Sequence, residues 1–517
     1  MIRVGSRKLT QEDFYDVLFE GEKIELDAKS LEKVRTNFEF LKEFVKGKVI
    51  YGINTGLGPM AQYKINNNRE LELQYNLIRS HCSGCGEPLG DIYVKATMLA
   101  RLNTLMQARS GIHPEVVLLI RELINRDIYP MIPEHGGVGA SGDLIQLAHL
   151  ALILIGEGEV NYKGTLQETK KAFEAEGLQP AGMHIREGLA LINGTSAMTG
   201  IGIINIIHAK NLLDWSVLAS SMINEIMESY DDHFSKGLNR VKLHTGQNQV
   251  ARMMRSIVKD SCLIRRRSDH LYNNHVTEET EVFKHKVQEY YSLRCVPQIL
   301  GPILDSIIYS EKVLISEVNS TNDNPIIDDE SQNVFHGGNF HGDYVALEMD
   351  KLKIAITKLS MLAERQLNYL MNDKLNGKLP PFINMGKLGL NLGMQGVQFT
   401  AVSTVAENQT LSFPMYVHSI TNNNDNQDIV SMGTNAAMMT KRVIDNTYQV
   451  LAIEMIAILQ AIDYLKTHER LSGYSRKKYE DLRKIVPVFC FDTVKYNDIR
   501  AIRDWLYDNK PQFKLVD

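Results

Sequence analysis

The sequence predicts a mainly α-helical protein with a small mixed region at its N-terminus. Three observations predict it. The stretches from Ala197 to about Tyr230, Val345 to about Met371 and Asn435 to Lys466 carry apolar residues at helical spacing over many turns. Glycine and proline punctuate the chain between helical stretches, as at Gly111, Pro130 and Pro133. Residues 1–50 instead suit short strands around one helix near Leu31–Val45. Helices of that length with apolar stripes form bundles. The chain has 517 residues, 44% of them hydrophobic and 23% charged, which fits a globular protein with room for several domains.

In chain order, the first loop with a recognisable pattern runs from Val49 to Ala61. Gly56-x-Gly58-x-x-Ala61 imitates a dinucleotide fingerprint, but Pro59 and the polar Gln62–Asn68 run fit a βαβ unit poorly, so that reading is rejected. From Gln74 the pattern turns helical. Leu99–Arg109 and Pro114–Arg126 read as amphipathic helices broken at Gly111. Residues 157–188 are more polar and suit a hairpin and a helix. In the 197–230 stretch, Gly200, Gly202 and Ser220 permit close helix contacts. The two long second-half helices carry stripes wider than one protomer covers, which points to packing between subunits. No internal repeat stands out. Asn422–Asn426 is a short polar break, and the tail after Pro487 reads as peripheral. By motif content the chain divides into 1–190, 191–486 and 487–517.

Composition excludes several function classes. A net charge of -5 gives no reason to expect nucleic acid. Arg265-Arg266-Arg267 is followed by Glu278, Glu279 and Glu281, which suits a solvated segment. Five cysteines make no disulfide framework, and Cys82-Ser83-Gly84-Cys85 lacks the second CxxC of a zinc site. No set of metal ligands is evident. The N-terminus lacks an apolar signal core, and no unbroken apolar run reaches the ~18 residues of a membrane helix. A cytoplasmic location follows as the expectation.

The stretch with chemistry in it is Gly136-Gly137-Val138-Gly139-Ala140-Ser141-Gly142-Asp143. Four glycines within seven residues surround one serine, and Leu144, Leu147, Ala148 and Leu150 then fall at helical spacing behind Asp143, a good N-cap. Such a turn can press the nitrogen of Gly142 onto the carbonyl carbon of Ala140. Loss of two waters then closes an imidazolone ring and leaves the Ser141 side chain as a methylidene. Gly142 has no Cβ to block closure, Ser141 has a β-hydroxyl to lose, and Ala140 is small. The segment resembles the one that forms methylidene-imidazolone (MIO) in the aromatic amino acid ammonia-lyases. Val138 to Leu144 and Leu147-Ala148-His149 match that family. Gly137 and Gln146 depart from it, outside the cyclising triad.

Further motifs match in family order, from Tyr51 to the helix after Met432. Tyr51-Gly52-Ile53-Asn54-Thr55-Gly56-Leu57-Gly58 resembles the loop carrying the general-base tyrosine, which implies that role for Tyr51. Asn193-Gly194-Thr195 resembles the loop whose asparagine contacts the cofactor. The run from Gln288 to Gln298 implies a catalytic Tyr291 and a carboxylate-binding Arg294. Asn322-Asp323-Asn324-Pro325 resembles a family turn and implies a substrate-binding Asn324, and Gly337-Gly338-Asn339-Phe340-His341 implies that Phe340 lies near the cofactor ring. Asn423 and Gln427 belong to another matching segment. The resemblance implies an elongated helical bundle, a homotetramer with active sites lined by more than one subunit, a small amino-acid substrate, and neither metal nor diffusible cofactor. A free tyrosine, pKa ~10, is a poor base at neutral pH, so Tyr51 needs nearby positive potential.

Two features bear on the substrate. Ser80-His81 occupies the family's selectivity position and is similar to the pair in histidine ammonia-lyases. Gln427 stands where those enzymes carry glutamate. A neutral amide forgoes a charge-assisted contact to an imidazole worth ~1.5–3 kcal/mol. His81 can equally serve a phenol hydroxyl. The wording around Ile78–His81, Glu134–Gly137 and Asn422–Gln427 is most similar to bacterial tyrosine ammonia-lyases. The expectation is therefore L-tyrosine to trans-p-coumarate, with L-histidine to urocanate the alternative, followed by an aromatic aminomutase and an inactive bundle protein.

Overall fold

A computed structural model describes residues 1–272, 279–280, 282–283 and 286–513, so Glu278 and Glu281 lie outside the described residues. Helices dominate, as the sequence predicts, and the strands are three or four residues long. The chain forms two compact units. One comprises Met1–Ile207, Ser310–Asp350 and Pro414–Lys441; the other comprises His208–Tyr309, Lys351–Phe413 and Arg442–Asp517. All their boundaries but that at Phe413 and Pro414 fall inside long helices and follow spatial packing, whereas the division at 190 and 486 follows motif content.

The first unit contains every described strand. Ile2–Val4 pairs in parallel with Ile24–Leu26, and Cys85–Pro88 pairs antiparallel with Pro133–His135. Ile128–Pro130, Glu159–Tyr162 and Thr165–Glu168 form a three-stranded sheet, the last two being the predicted hairpin. A further hairpin, Ile326–Asp328 with Asn333–Phe335, packs Ile327 and Val334 against Leu41, Ile50 and Ile53. Helix Ala28–Phe44 is capped by Asp27, which accepts from Ser30 N at 3.0 Å. The helix expected at Leu99–Arg109 begins earlier, at Asp91, and ends at Leu105. Every residue from Tyr93 to Leu105 is buried, so no polar face marks its onset. It crosses Ser196–Ile226 in backbone contact, because a Cβ on Gly200 would lie 2.6 Å from Thr97 N.

In the second unit, Gln366 Nε2 donates to Ser220 Oγ at 2.9 Å, the close approach expected at Ser220. The tail is exposed along most of its length but docks through one helix. Its helix Tyr496–Asp508 buries Ile502 and Leu506 completely, and Trp215 Nε1 donates to the Leu506 carbonyl at 3.0 Å. The short tail helix hid its apolar face among five charged residues. Nor do the arginines form a solvated run. Arg265 pairs with Glu228, and Arg267 pairs with Asp232 and lies over the Tyr230 ring. Gly433–Leu465 is long and apolar enough to cross a membrane by length and composition, although no unbroken apolar run marks it. Within this fold 78% of its most apolar window is buried, as in a core helix.

Candidate active site

Helices Glu70–His81, Leu144–Leu154 and Glu187–Ile192 pack on one another in the first unit. Their ends and the adjoining loops line a cavity of about 800 Å³. Tyr51, Ser80, His81, Ser141, Asn193, Asn324, Phe340, Asn423 and Gln427 all line it. Ala140 and Gly142 flank Ser141 in the glycine loop, and Ala140 is buried against Val430 and Met432.

The loop is held from both sides. The Gly139 carbonyl accepts from Gly342 N and Ser431 Oγ, each at 3.0 Å, and Met432 N donates to the Val138 carbonyl at 3.0 Å. Asp143 N donates to the Gly194 carbonyl at 2.7 Å. Gly142 has φ +73°, and a Cβ there would lie 2.1 Å from that same oxygen, so only glycine fits. Asn193 Nδ2 donates to the Ser141 carbonyl, and Gln427 Nε2 donates to Ser141 Oγ, both at 2.9 Å. The backbone and the hydroxyl of Ser141 thus each have a dedicated amide donor.

Asp143 does not cap the helix that follows it. Its carboxylate instead accepts from Ala197 N and Met198 N at 2.9 Å each, capping Ser196–Ile226, and also accepts from the Thr434 hydroxyl. Burial pushes Asp143 up to about 6, against the pull of these donors. One side chain therefore joins the glycine loop to the starts of two long helices.

His81 closes Glu70–His81. Its Nδ1 lies 2.9 Å from the Leu77 carbonyl, which can only accept, and 3.1 Å from Ser80 Oγ, which can do either; the carbonyl contact favours the tautomer with hydrogen on Nδ1 and a lone pair on Nε2. Burial lowers the His81 pKa, opposed by the Leu77 carbonyl, and so favours the neutral ring. Gly58 N donates to Tyr51 Oη at 3.1 Å from a left-handed glycine, φ +54°. The polar break at 422–427 is a turn in which Asn422 and Gln427 bond each other's backbones. Asn423, Asn424 and Asp425 all have positive φ, which explains its composition, since Asn and Asp tolerate that region best. The turn delivers Asn423 and Gln427 to the cavity.

Tyr291 and Arg294 do not line this cavity. They belong to the second unit, in a cleft of about 610 Å³ with Lys286, Arg365 and Tyr369. Tyr291 is 69% exposed there and the Arg294 guanidinium lies over its ring at 4.6 Å. Sequence reasoning missed a buried polar layer behind the cavity in the first unit. Arg186 donates to Asp323 Oδ1 at 2.9 Å and to the Pro325 carbonyl at 2.7 Å, both partners of the pair being fully buried. Arg101 donates to the Ala190 carbonyl, and burial pushes it down to about 10. No local pattern announces these arginines; the Asn322–Pro325 turn that Arg186 anchors was the only available signal.

Known proteins resemble this chain in sequence and in fold. The sequence profile of the family described as aromatic amino acid lyase matches residues 9–484. A tyrosine 2,3-aminomutase of Chondromyces crocatus is 40% identical over 513 residues, 97% of this chain and 95% of that one. A histidine ammonia-lyase of Bacillus cytotoxicus is 39% identical over 507 residues, 98% of this chain and 97% of that one. The crystal structure of a tyrosine aminomutase from Streptomyces globisporus superposes with a TM-score of 0.95 at 34% identity, covering 98% of this chain and 96% of that one.

Proposed function

This chain belongs to the aromatic amino acid lyase family, and on that premise we propose that it removes ammonia from L-tyrosine to give trans-p-coumarate. The observation that carries the substrate assignment is His81. A neutral ring with Nδ1 committed to Leu77 presents Nε2 as an acceptor on the cavity wall, which suits the hydroxyl of a phenol. Gln427, already engaged with Ser141 Oγ, offers no carboxylate to an imidazole substrate.

Ala140, Ser141 and Gly142 fit the MIO group of the family. Gly142 meets the steric demand of ring closure, and Gln427 donates to the hydroxyl that must leave. MIO would supply an electrophilic carbon at the Ser141 position. Asn193 and Gln427 aim amide donors at the same residue and can steady charge that develops there. Tyr51 accepts the β-proton, and the Cα–N bond breaks as the Cα–Cβ double bond forms, releasing ammonia. Arg294 grips the substrate carboxylate, and Tyr291 adds its catalytic hydroxyl, from another copy of the chain in a homotetramer.

A second reading rests on the relatives. Those named tyrosine 2,3-aminomutase are 40% and 41% identical over nearly the whole chain. In that reading ammonia returns to the β carbon and the product is β-tyrosine. One experiment separates the readings. The purified protein is weighed intact and then incubated separately with tyrosine, phenylalanine and histidine, and products are resolved by chromatography. A mass short of two waters with p-coumarate from tyrosine supports the lyase. Accumulating β-tyrosine moves the assignment to the mutase, urocanate moves it to histidine, and a full-mass protein overturns the MIO chemistry.

A further inference from the structure

A second cluster of ligating side chains lies outside the cavity lining. One ligand atom each from His113, Glu115 and His184 lies within 4.8 Å of the others. His113 directly precedes helix Pro114–Asn125, Glu115 is in its first turn, and His184 comes from the segment ahead of Glu187–Ile192. The sequence reading found no metal-ligand set because only the fold brings these positions together.

Two features hold the histidines in place. Buried Glu187 accepts from His113 N at 2.7 Å with one carboxylate oxygen and from His184 N at 2.6 Å with the other, so one side chain ties both backbones. Phe38, itself buried, meets both imidazoles edge to face, at 5.1 Å and 5.3 Å between ring centroids. The two imidazoles are 4.5 Å apart. Helix capping accounts for only part of the arrangement. His113 Nδ1 accepts from Glu115 N at 3.4 Å, whereas the His184 ring makes no hydrogen bond among the described residues.

We propose that His113, His184 and Glu115 bind one divalent transition-metal cation, with Zn²⁺ the best match to two imidazoles and a carboxylate. Ligand bonds of ~2.1 Å put tetrahedral donors roughly 3.4 Å apart, so the cluster closes by side-chain rotation while Glu187 keeps the backbones fixed. Glu115, with 45% of its side chain exposed, gives the ion a route in and its charge offsets the positive helix end. Three protein ligands leave a fourth position for water. The bound ion would clamp the start of Glu187–Ile192, the helix that leads into Asn193.

The test is titration of chelator-stripped protein with Zn²⁺ alone by calorimetry, repeated with Co²⁺ by visible spectroscopy. The wild type is expected to bind one more equivalent per chain than His113→Ala or His184→Ala, and to gain thermal stability with Zn²⁺ that both variants lack. Glu115→Gln, at a partly exposed position, should weaken binding at least tenfold; it decides the matter if the histidine variants fail to fold by circular dichroism. Co²⁺ should give d–d bands of a nitrogen and oxygen site. Equal stoichiometry in wild type and variants, thiolate charge-transfer bands, or no saturable binding would each overturn the proposal.

Discussion

His81 illustrates how much a single proton position can decide. A tyrosine hydroxyl meeting a neutral Nε2 forms a hydrogen bond that phenylalanine cannot make, and the phenylalanine complex leaves a polar ring unpaired. His81→Phe should therefore lower kcat/KM for tyrosine by at least a hundredfold and raise it for phenylalanine, measured as coumarate and cinnamate formation; an unchanged ratio would remove His81 from the selectivity site. Because burial places the His81 pKa below its ordinary 6.5, KM for tyrosine should be flat above that pH and climb as the ring gains a proton on the acid side. The climb should vanish in the variant. At Tyr51 the expected loss on Tyr51→Phe is in kcat, by about 10²–10⁴, with KM little moved. The polar residues Tyr51, His81, Ser141 and Gln427 of the cavity wall were legible before the fold, since they sit in dense motifs, whereas apolar lining residues such as Met60, Leu73 and Leu189 were not. What could not be read was the tautomer of His81, which depends on a carbonyl one helical turn away.

Among the elements, Asp143 and Gly200 show what helical periodicity cannot convey. The sequence places an N-cap residue before Leu144, yet its carboxylate serves the helix that begins at Ser196. Local pattern identifies a good cap without saying whose amides it will meet. Asp143→Ala should destabilise the protein by more than the ~1 kcal/mol of an ordinary cap, since it also strands the Thr434 hydroxyl. Thermal unfolding reads this directly, and a loss within ordinary surface variation would show that water replaces the carboxylate. Gly200→Ala tests the helix crossing, because its methyl would overlap the Thr97 backbone. A cost of about 1–3 kcal/mol is expected, with helix content by circular dichroism retained. Long helices were legible because their stripes persist over many turns. The Asp91–Leu105 onset was not, because a helix buried on all sides has no stripe, and the tail helix was not, because its buried face is only a few residues wide.

At the level of the whole molecule, buried acids and the separation of the expected site residues into two pockets each carry a consequence. In the second unit, burial pushes Glu225 and Asp214 up to about 7 and raises Glu454 well above 4.5. Between about pH 4.5 and 7 the unfolded chain has released protons that the folded chain keeps, so stability falls as pH rises through that window. His233, pushed down to about 4 by burial, works the other way, but only below 6.5, where the unfolded imidazole gains a proton the folded one refuses. From pH 6.5 to 7.5 the carboxylates act unopposed by it, and the melting temperature should drop. Glu225→Gln should flatten part of that slope; a melting temperature rising across the same interval would contradict the burial argument. The partition concerns catalysis. Tyr51 and Ser141 line the cavity of the first unit, whereas Arg294 stands in the cleft of the second beside an exposed Tyr291. If another copy supplies Arg294, two crippled variants should rescue each other. Tyr51→Phe and Arg294→Ala, each inactive alone, are co-expressed and purified as mixed oligomers. Some mixed sites then pair an intact Tyr51 with an intact Arg294, and a substantial fraction of wild-type activity should return. Sites built within one chain would always contain one defect, so mixtures no more active than the separate variants would exclude sharing between copies.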